Sequence, residues 1–236
     1  MTSPTLLRGL LAAIAVFALP TSAIAPAQQA APSYATQVTR GEGGSHILGN
    51  PAAAVRVTEY VSYTCPHCKD FVEQSATGLQ RYIASGQVSL EVRHLVLSAP
   101  DIGMTVAAQC GAPARFFSRH DSLMALQPSV LQRASAITPA RADQIRALPP
   151  LPRIRALATD SGVIGWMRGR GFTPAQIDRC FADQTIIDRI ETMRSAALAA
   201  GVTGTPSFAI NGTLVSEAHS WAALQPRIDA ALAAIR

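Results

Sequence analysis

Residues 54–97 read AVRVTEYVSYTCPHCKDFVEQSATGLQRYIASGQVSLEVRHLVL, and this stretch decides the fold class. Ala54 to Val61 alternates as a strand does, with Val55, Val57 and Val61 on one face. Glu59 falls on that same apolar face, a local rule broken. After Ser62-Tyr63-Thr64 the period changes. Cys68, Phe71, Val72, Ser75, Leu79, Tyr82 and Ile83 recur at three- and four-residue steps, which predicts a helix from Pro66 to about Ser85. Pro66 suits the first helical turn, where its missing N–H has no intrahelical partner in any case. Val88 to Leu97 reads as a second strand, completing a βαβ unit.

The junction between that strand and that helix carries Cys65-Pro66-His67-Cys68. Two cysteines three positions apart on a first helical turn can close a small disulfide or present a dithiol. The first thiol would lie beside free helix N–H groups and the positive end of the macrodipole, both of which favour thiolate. An imidazolium at His67 would add to that, while Pro66 removes a donor; these two residues are the tuning element. Such a thiol is expected to fall into the range of about 3.5–7.5. A stable thiolate leaves readily, so the disulfide it forms is oxidising. Two plainer readings compete. Zinc ribbons need a second C-x-x-C or a His pair, and Cys110 and Cys180 stand alone without ligand-spaced neighbours. A purely structural disulfide across the motif would need neither the strand-helix setting nor an exported chain. The redox reading uses both, and no metal is expected.

Outward from this unit, residues 100–189 read almost entirely helical. Helices are expected over Asp101–Gly111 and Pro113–Leu126, with Pro149, Pro150 and Pro152 interrupting the pattern. Thr173-Pro174 opens another in cap and first-turn order, and a further one runs from about Ile187 to Ala200. The β pattern returns in SFAINGTLV (Ser207–Val215), where Asn211-Gly212 between two apolar runs is a strong hairpin signal. The same residues fit a glycosylation sequon with Thr213, but the turn already accounts for them. An amphipathic helix from about Glu217 to Ile235 closes the chain. His94, on an apolar strand face, reads as a packed histidine, and Trp166 and Trp221 as helix-packing residues.

The N-terminus reads as a signal peptide, residues 1–25. Arg8 is its single charge, Gly9–Leu19 an apolar run, and Ala23-Ile24-Ala25 a small-x-small cleavage pattern. Its loss takes the formal charge from +5 to 5 − 1 = +4. Residues 26–44 read as a tail or linker. The hydrophobic fraction of 48% and charged fraction of 15% argue against disorder. Of 20 basic residues only Lys69 is lysine, and the arginines are scattered singly, so nucleic-acid binding is not indicated despite a pI near 9.4.

With these residues in place the chain resembles the DsbA family of thiol:disulfide oxidoreductases, exported bacterial proteins with a thioredoxin fold. The likeness runs from Leu48-Gly49-Asn50-Pro51 through Glu59-Tyr60-Val61-Ser62-Tyr63-Thr64 and the Cys-Pro-His-Cys tetrapeptide to Gly201-Val202-Thr203-Gly204-Thr205-Pro206. It implies an α/β fold: a thioredoxin fold in two parts, residues 45–99 and 190–236, with a helical domain inserted over residues 100–189. It implies Cys65 as the exposed attacking thiol, Cys68 as the buried resolving one, and Pro206 as a cis-proline whose neighbour Thr205 presents backbone to an extended substrate. Glu59 matches an acidic residue beneath the active site and could relay a proton to Cys68. Some relatives carry a second, non-catalytic disulfide in the helical domain, which suggests Cys110–Cys180; two unpaired core cysteines is the other reading. No cofactor is implied.

The function expected from this likeness is transfer of the Cys65–Cys68 disulfide to folding exported proteins in the periplasm, through a mixed disulfide. A membrane reoxidant of the quinone-linked DsbB type is the implied partner, and the enzyme a monomer. Thr205 before the proline is shared with isomerase-type relatives, so a reductase or isomerase serving particular substrates is the alternative. A peptide-binding, chaperone-like module is another, though a pure binder has no need of a reactive dithiol.

Overall fold

In the computed structural model, which describes Met1 and residues 34–235, the βαβ unit seeds a six-stranded sheet. The signal-peptide expectation lies outside the described residues. The strands are β1 (Val38–Arg40), β2 (His46–Gly49), β3 (Val55–Val61), β4 (Val88–His94), β5 (Ser207–Ile210) and β6 (Thr213–Leu214), ordered β1-β2-β4-β3-β5-β6. β3 and β4 are parallel and joined by helix α1 (Pro66–Ala84); the other pairings are antiparallel. As the central strand β3 is covered on both faces, and every residue of it except Arg56 is buried. This is why its alternation is weaker than that of a half-exposed strand.

α1 buries Cys68, Phe71, Ser75, Gly78, Leu79 and Ile83 against the sheet. Gly78 is required by packing: a Cβ there would collide with the indole of Trp221, which stacks α9 (Trp221–Ala233) onto α1. β4 ends at His94, three residues before the expected limit, and Leu97 lies beyond it, 53% exposed. The segment expected as a tail is in part structured. Tyr34–Thr36 and Glu42–Gly44 form short 3-10 turns, and β1 pairs Val38 with Leu48 of β2. Strands of three and four residues are too short to show a period, so this edge escaped the sequence pattern.

The inserted block holds α2 (Ala99–Gln109), α3 (Phe116–Ser135), α4 (Pro139–Arg146), α5 (Pro150–Asp160), α6 (Val163–Gly169) and α7 (Pro174–Ala182). Three expectations need correction. α3 follows a 3-10 turn at Pro113–Arg115 and continues through Pro128 to Ser135, because Leu123, Met124, Gln127 and Val130 keep its buried stripe going. The prolines at 149–152 open a helix rather than break one: Pro149 is the N-cap residue of α5 and Pro150 its first. The last helix before the β return, α8 (Gln184–Ala199), starts earlier than expected, with the Asp183 side chain accepting from the Thr185 N–H. α8 straddles the boundary drawn at residue 189 and packs on β4. A disulfide joins Cys110, at the end of α2, to Cys180 of α7, with Cα atoms 5.7 Å apart. Among the described residues no helix is long and apolar enough to cross a membrane.

Candidate active site

β3 delivers the chain at Val61 to the turn Ser62-Tyr63-Thr64, and Cys65 follows as the N-cap residue of α1 with Pro66 at its first position. Both cysteines of the motif are reduced. Cys68, one turn in, is 0% exposed. Cys65 is more enclosed than the sequence led us to expect, at 8% exposure. The cause is the loop before β5: the Cys65 thiol donates to the Thr205 carbonyl oxygen at 3.1 Å, across 140 residues of chain. The Thr205–Pro206 peptide bond is cis, and the Pro206 carbonyl accepts from His219 Nδ1 at 2.9 Å.

The two sulfurs sit in opposite electrostatic environments. A hydrogen bond from the Cys68 thiol is the largest influence on Cys65, outweighing burial, and the Thr205 side chain and the backbone N–H groups of Cys68 and His67 add to it. Together they bring the Cys65 pKa down to about 5. Among the described residues the Thr205 hydroxyl has no other partner, so it can turn its proton towards a thiolate. His67 acts through its backbone N–H, while its side chain points to solvent. Burial drives Cys68 strongly the other way, reinforced by its bond to Cys65 and by Glu59. Cys65 is therefore built to ionise and Cys68 to stay protonated.

Beneath the pair, Glu59 is fully buried, not a strand-end residue reaching solvent, and among the described residues neither carboxylate oxygen has a partner. Burial, with the charges of Asp121 and Cys65, raises it to about 8. Glu59 is not sealed off. It lines a cavity of about 430 Å³ between α1 and α3, walled by Phe71, Leu79 and Met124 and reaching Asp121 at the surface.

Sequence reasoning missed two further residues. Asp101 of α2, 0% exposed, accepts from Ser62 Oγ, from the Tyr63 N–H at 2.9 Å and from the Leu97 N–H at 3.0 Å. Gln127 of α3 donates to the carbonyls of Tyr63 and Cys65. The available signal was a polar side chain at a stripe position of an apolar helix face, which is seldom occupied without a partner. His94 is buried in a cluster with Tyr63, Phe116, His46 and His120. His46 stacks on Phe116 at 3.9 Å, and Tyr63 Oη lies 3.1 Å from His120 Nδ1. Burial lowers His46 to about 3 and His120 to about 4, so the cluster is neutral. Among the described residues no group of three His, Cys, Asp or Glu side chains could hold a metal ion.

A thioredoxin family model matches residues 41–230. The chain is similar to a protein-disulfide isomerase of Novosphingobium aromaticivorans of known structure. The two are 35% identical, with 80% of this chain and 97% of that one covered and a TM-score of 0.74. Its fold is also that of alpha-DsbA1 of Wolbachia pipientis, at 18% identity over 86% and 96% of the chains and a TM-score of 0.61. A Rickettsia bellii protein named as a protein-disulfide oxidoreductase is 28% identical over 191 residues. The alignment takes in 79% of this chain but 64% of the Rickettsia protein, so the chain spans less than two thirds of that relative's length.

Proposed function

The chain belongs to the thioredoxin family, and from that membership we propose that it is a DsbA-like protein disulfide oxidoreductase. The observation that carries the proposal is the asymmetry of the pair, with Cys65 poised to ionise at the mouth of the site and Cys68 buried and protonated below it. In the oxidising direction a substrate thiolate attacks Cys65 Sγ of the Cys65–Cys68 disulfide. The bond between the two enzyme sulfurs breaks, Cys68 departs and takes up a proton, and a mixed disulfide joins Cys65 to the substrate. A second substrate thiolate then attacks the substrate's own sulfur, and Cys65 leaves as a thiolate. Two electrons pass from the substrate dithiol to the enzyme pair, and its low pKa makes Cys65 the better leaving group.

The protonation of Cys68 needs a donor in a dry place. Glu59, protonated up to about pH 8 and open to the cavity between α1 and α3, fits that role. The half-buried backbone at Thr205 is where an extended substrate segment would lie against Cys65. Substrates are folding exported proteins, the compartment is the periplasm, and a membrane-bound quinone-linked protein serves as the two-electron oxidant. The thiol Cys65 sits 3.1 Å from the Thr205 carbonyl, so docking a substrate displaces that contact.

A second reading, isomerase or reductase, is favoured by the name of the Novosphingobium protein. The reduction potential decides between them. Equilibration with glutathione should give a potential closer to DsbA, about −120 mV, than to thioredoxin, about −270 mV. A value at the thioredoxin end assigns the reducing direction. In the Cys68→Ser variant, mixed disulfides between Cys65 and reduced substrates should accumulate; failure to trap any would refute both directions.

A further inference from the structure

The buried polar side chains that reach the reactive turn come from the inserted helices. Gln127 of α3, 2% exposed, sends its amide nitrogen to two carbonyls at once, Tyr63 O at 2.8 Å and Cys65 O at 2.9 Å. The amide can face only one way, because reversing it would set its oxygen against both carbonyl oxygens. The Cys65 carbonyl also accepts from the N–H of Cys68 at 3.2 Å and of Lys69 at 3.3 Å, so it is the first acceptor of α1. Of these donors the Cys68 N–H, with that of His67, also bears on the Cys65 sulfur, so the carbonyl that Gln127 holds shares a donor with the thiolate. Asp101 of α2 holds the Tyr63 N–H. One peptide segment is thus gripped at its N–H by one inserted helix and at its carbonyl by another. Packing alone does not call for glutamine, since its neighbours on the stripe are Leu123, Met124 and Val130 and a methionine would fill the same space.

We propose that Gln127 is a positioning residue for Cys65, the contact through which the inserted helical block sets the orientation of the reactive turn. The inference rests on the oxidoreductase reading and adds a residue to it. The alternative is that Gln127 merely satisfies two buried carbonyls, in which case its loss lowers stability and leaves Cys65 unchanged.

The test is Gln127→Met in the full chain, which keeps the volume and removes both donors. Ionisation of Cys65 is followed by thiolate absorbance in the reduced protein, and the disulfide equilibrium by titration with glutathione. The expected result is a Cys65 midpoint raised by about one unit, equivalent to roughly tenfold less thiolate at a given pH below the midpoint. The glutathione equilibrium should move towards the Cys65–Cys68 disulfide by a similar factor. A lower urea midpoint with an unchanged Cys65 titration overturns the proposal. If the variant does not fold, the wild-type protein still decides. The side-chain amide signals of Gln127 in nitrogen-15 NMR should shift with the midpoint of Cys65, and their indifference to that titration is equally fatal. An ordinary Cys65 midpoint in the wild type would instead defeat the oxidoreductase reading itself, so the two failures are distinguishable.

Discussion

Oxidation of Cys65 and Cys68 to their disulfide is a perturbation whose effect on stability follows from the geometry. In the reduced protein Cys65 titrates at about 5 when folded, against 9.0 for the free side chain. A folded pKa below the unfolded one stabilises the fold above it. The contribution grows by roughly 1.4 kcal/mol per pH unit between about pH 5 and 9 and is lost as pH falls through about 5. At pH 7 it amounts to roughly 3 kcal/mol, and at about pH 8.5 to roughly 5 kcal/mol. The disulfide abolishes this titration but constrains the unfolded chain. For a loop of about four residues, the chain-entropy treatment puts the constraint at roughly 2 kcal/mol in favour of the oxidised form. The reduced form should therefore be the more stable by roughly 3 kcal/mol at about pH 8.5, nearly level at about pH 6.5, and the less stable at about pH 5. Cys68 stays protonated when folded and disturbs this balance only near and above its unfolded value of 9.0. Urea denaturation of both forms across this pH range measures the difference, with thiol counting to verify that the Cys110–Cys180 bond is intact. A difference independent of pH between about 5 and 8.5 would refute the claim that folding favours the Cys65 thiolate.

Four further outcomes are expected. Cys68→Ala should raise the Cys65 midpoint, because the Cys68 thiol is the largest influence holding it down; thiolate absorbance reads the change, and an unmoved midpoint shifts the credit to the helix N–H groups. Glu59→Gln should stabilise the fold at neutral pH by up to about 3 kcal/mol, since a carboxyl raised to about 8 contributes stability at low pH that drains away between about 4.5 and 8. A loss at pH 7 would show the carboxyl to be better satisfied than its lack of protein partners indicates. His46→Phe should lose about 2 kcal/mol less than wild type between pH 7 and 5, because a histidine lowered to about 3 binds its proton only on unfolding; equal losses in both proteins would contradict this. Replacing Cys110 and Cys180 together by alanine opens a loop of 70 residues and should cost about 4 kcal/mol in the chain-entropy model, with Cys65 ionising as before. Thermal unfolding with a parallel thiolate titration tests both halves.

The parts of this molecule legible in its sequence are those governed by local rules. The strand over Val55–Val61, the helix from Pro66 and the Asn211-Gly212 hairpin lie where period and turn chemistry place them. Cys65 and Cys68 could be read as a redox pair because their spacing is local. What stayed hidden is non-local or short. Strands β1 and β2 exist through pairing with each other and with β4, with too few residues to carry a pattern. The enclosure of Cys65 comes from Thr205, and nothing within Cys65-Pro66-His67-Cys68 announces it. Asp101 and Gln127 become meaningful only once α2 and α3 are folded over the turn. Glu59 is the exception: a carboxylate on an apolar strand face announced itself by breaking the alternation.

The sheet order also imposes a calendar on the chain. β3 leaves the ribosome with Cys65 and Cys68 close behind it, yet its partner β5 begins about 140 residues later, at Ser207. Until that strand arrives, the central strand has one open edge, and Cys65 has no Thr205 beside it. Contacts so far apart in sequence are slow to form, because the whole loop between must be closed before they contribute. The cysteine pair thus spends most of its synthesis in an unfinished sheet, without the Thr205 carbonyl over Cys65. It gains the Thr205 contact, and with β5 the closed edge above it, only once residues 205–210 have been delivered. A chain cut short before Thr205 would carry the whole Cys-Pro-His-Cys motif and still lack the wall that encloses Cys65.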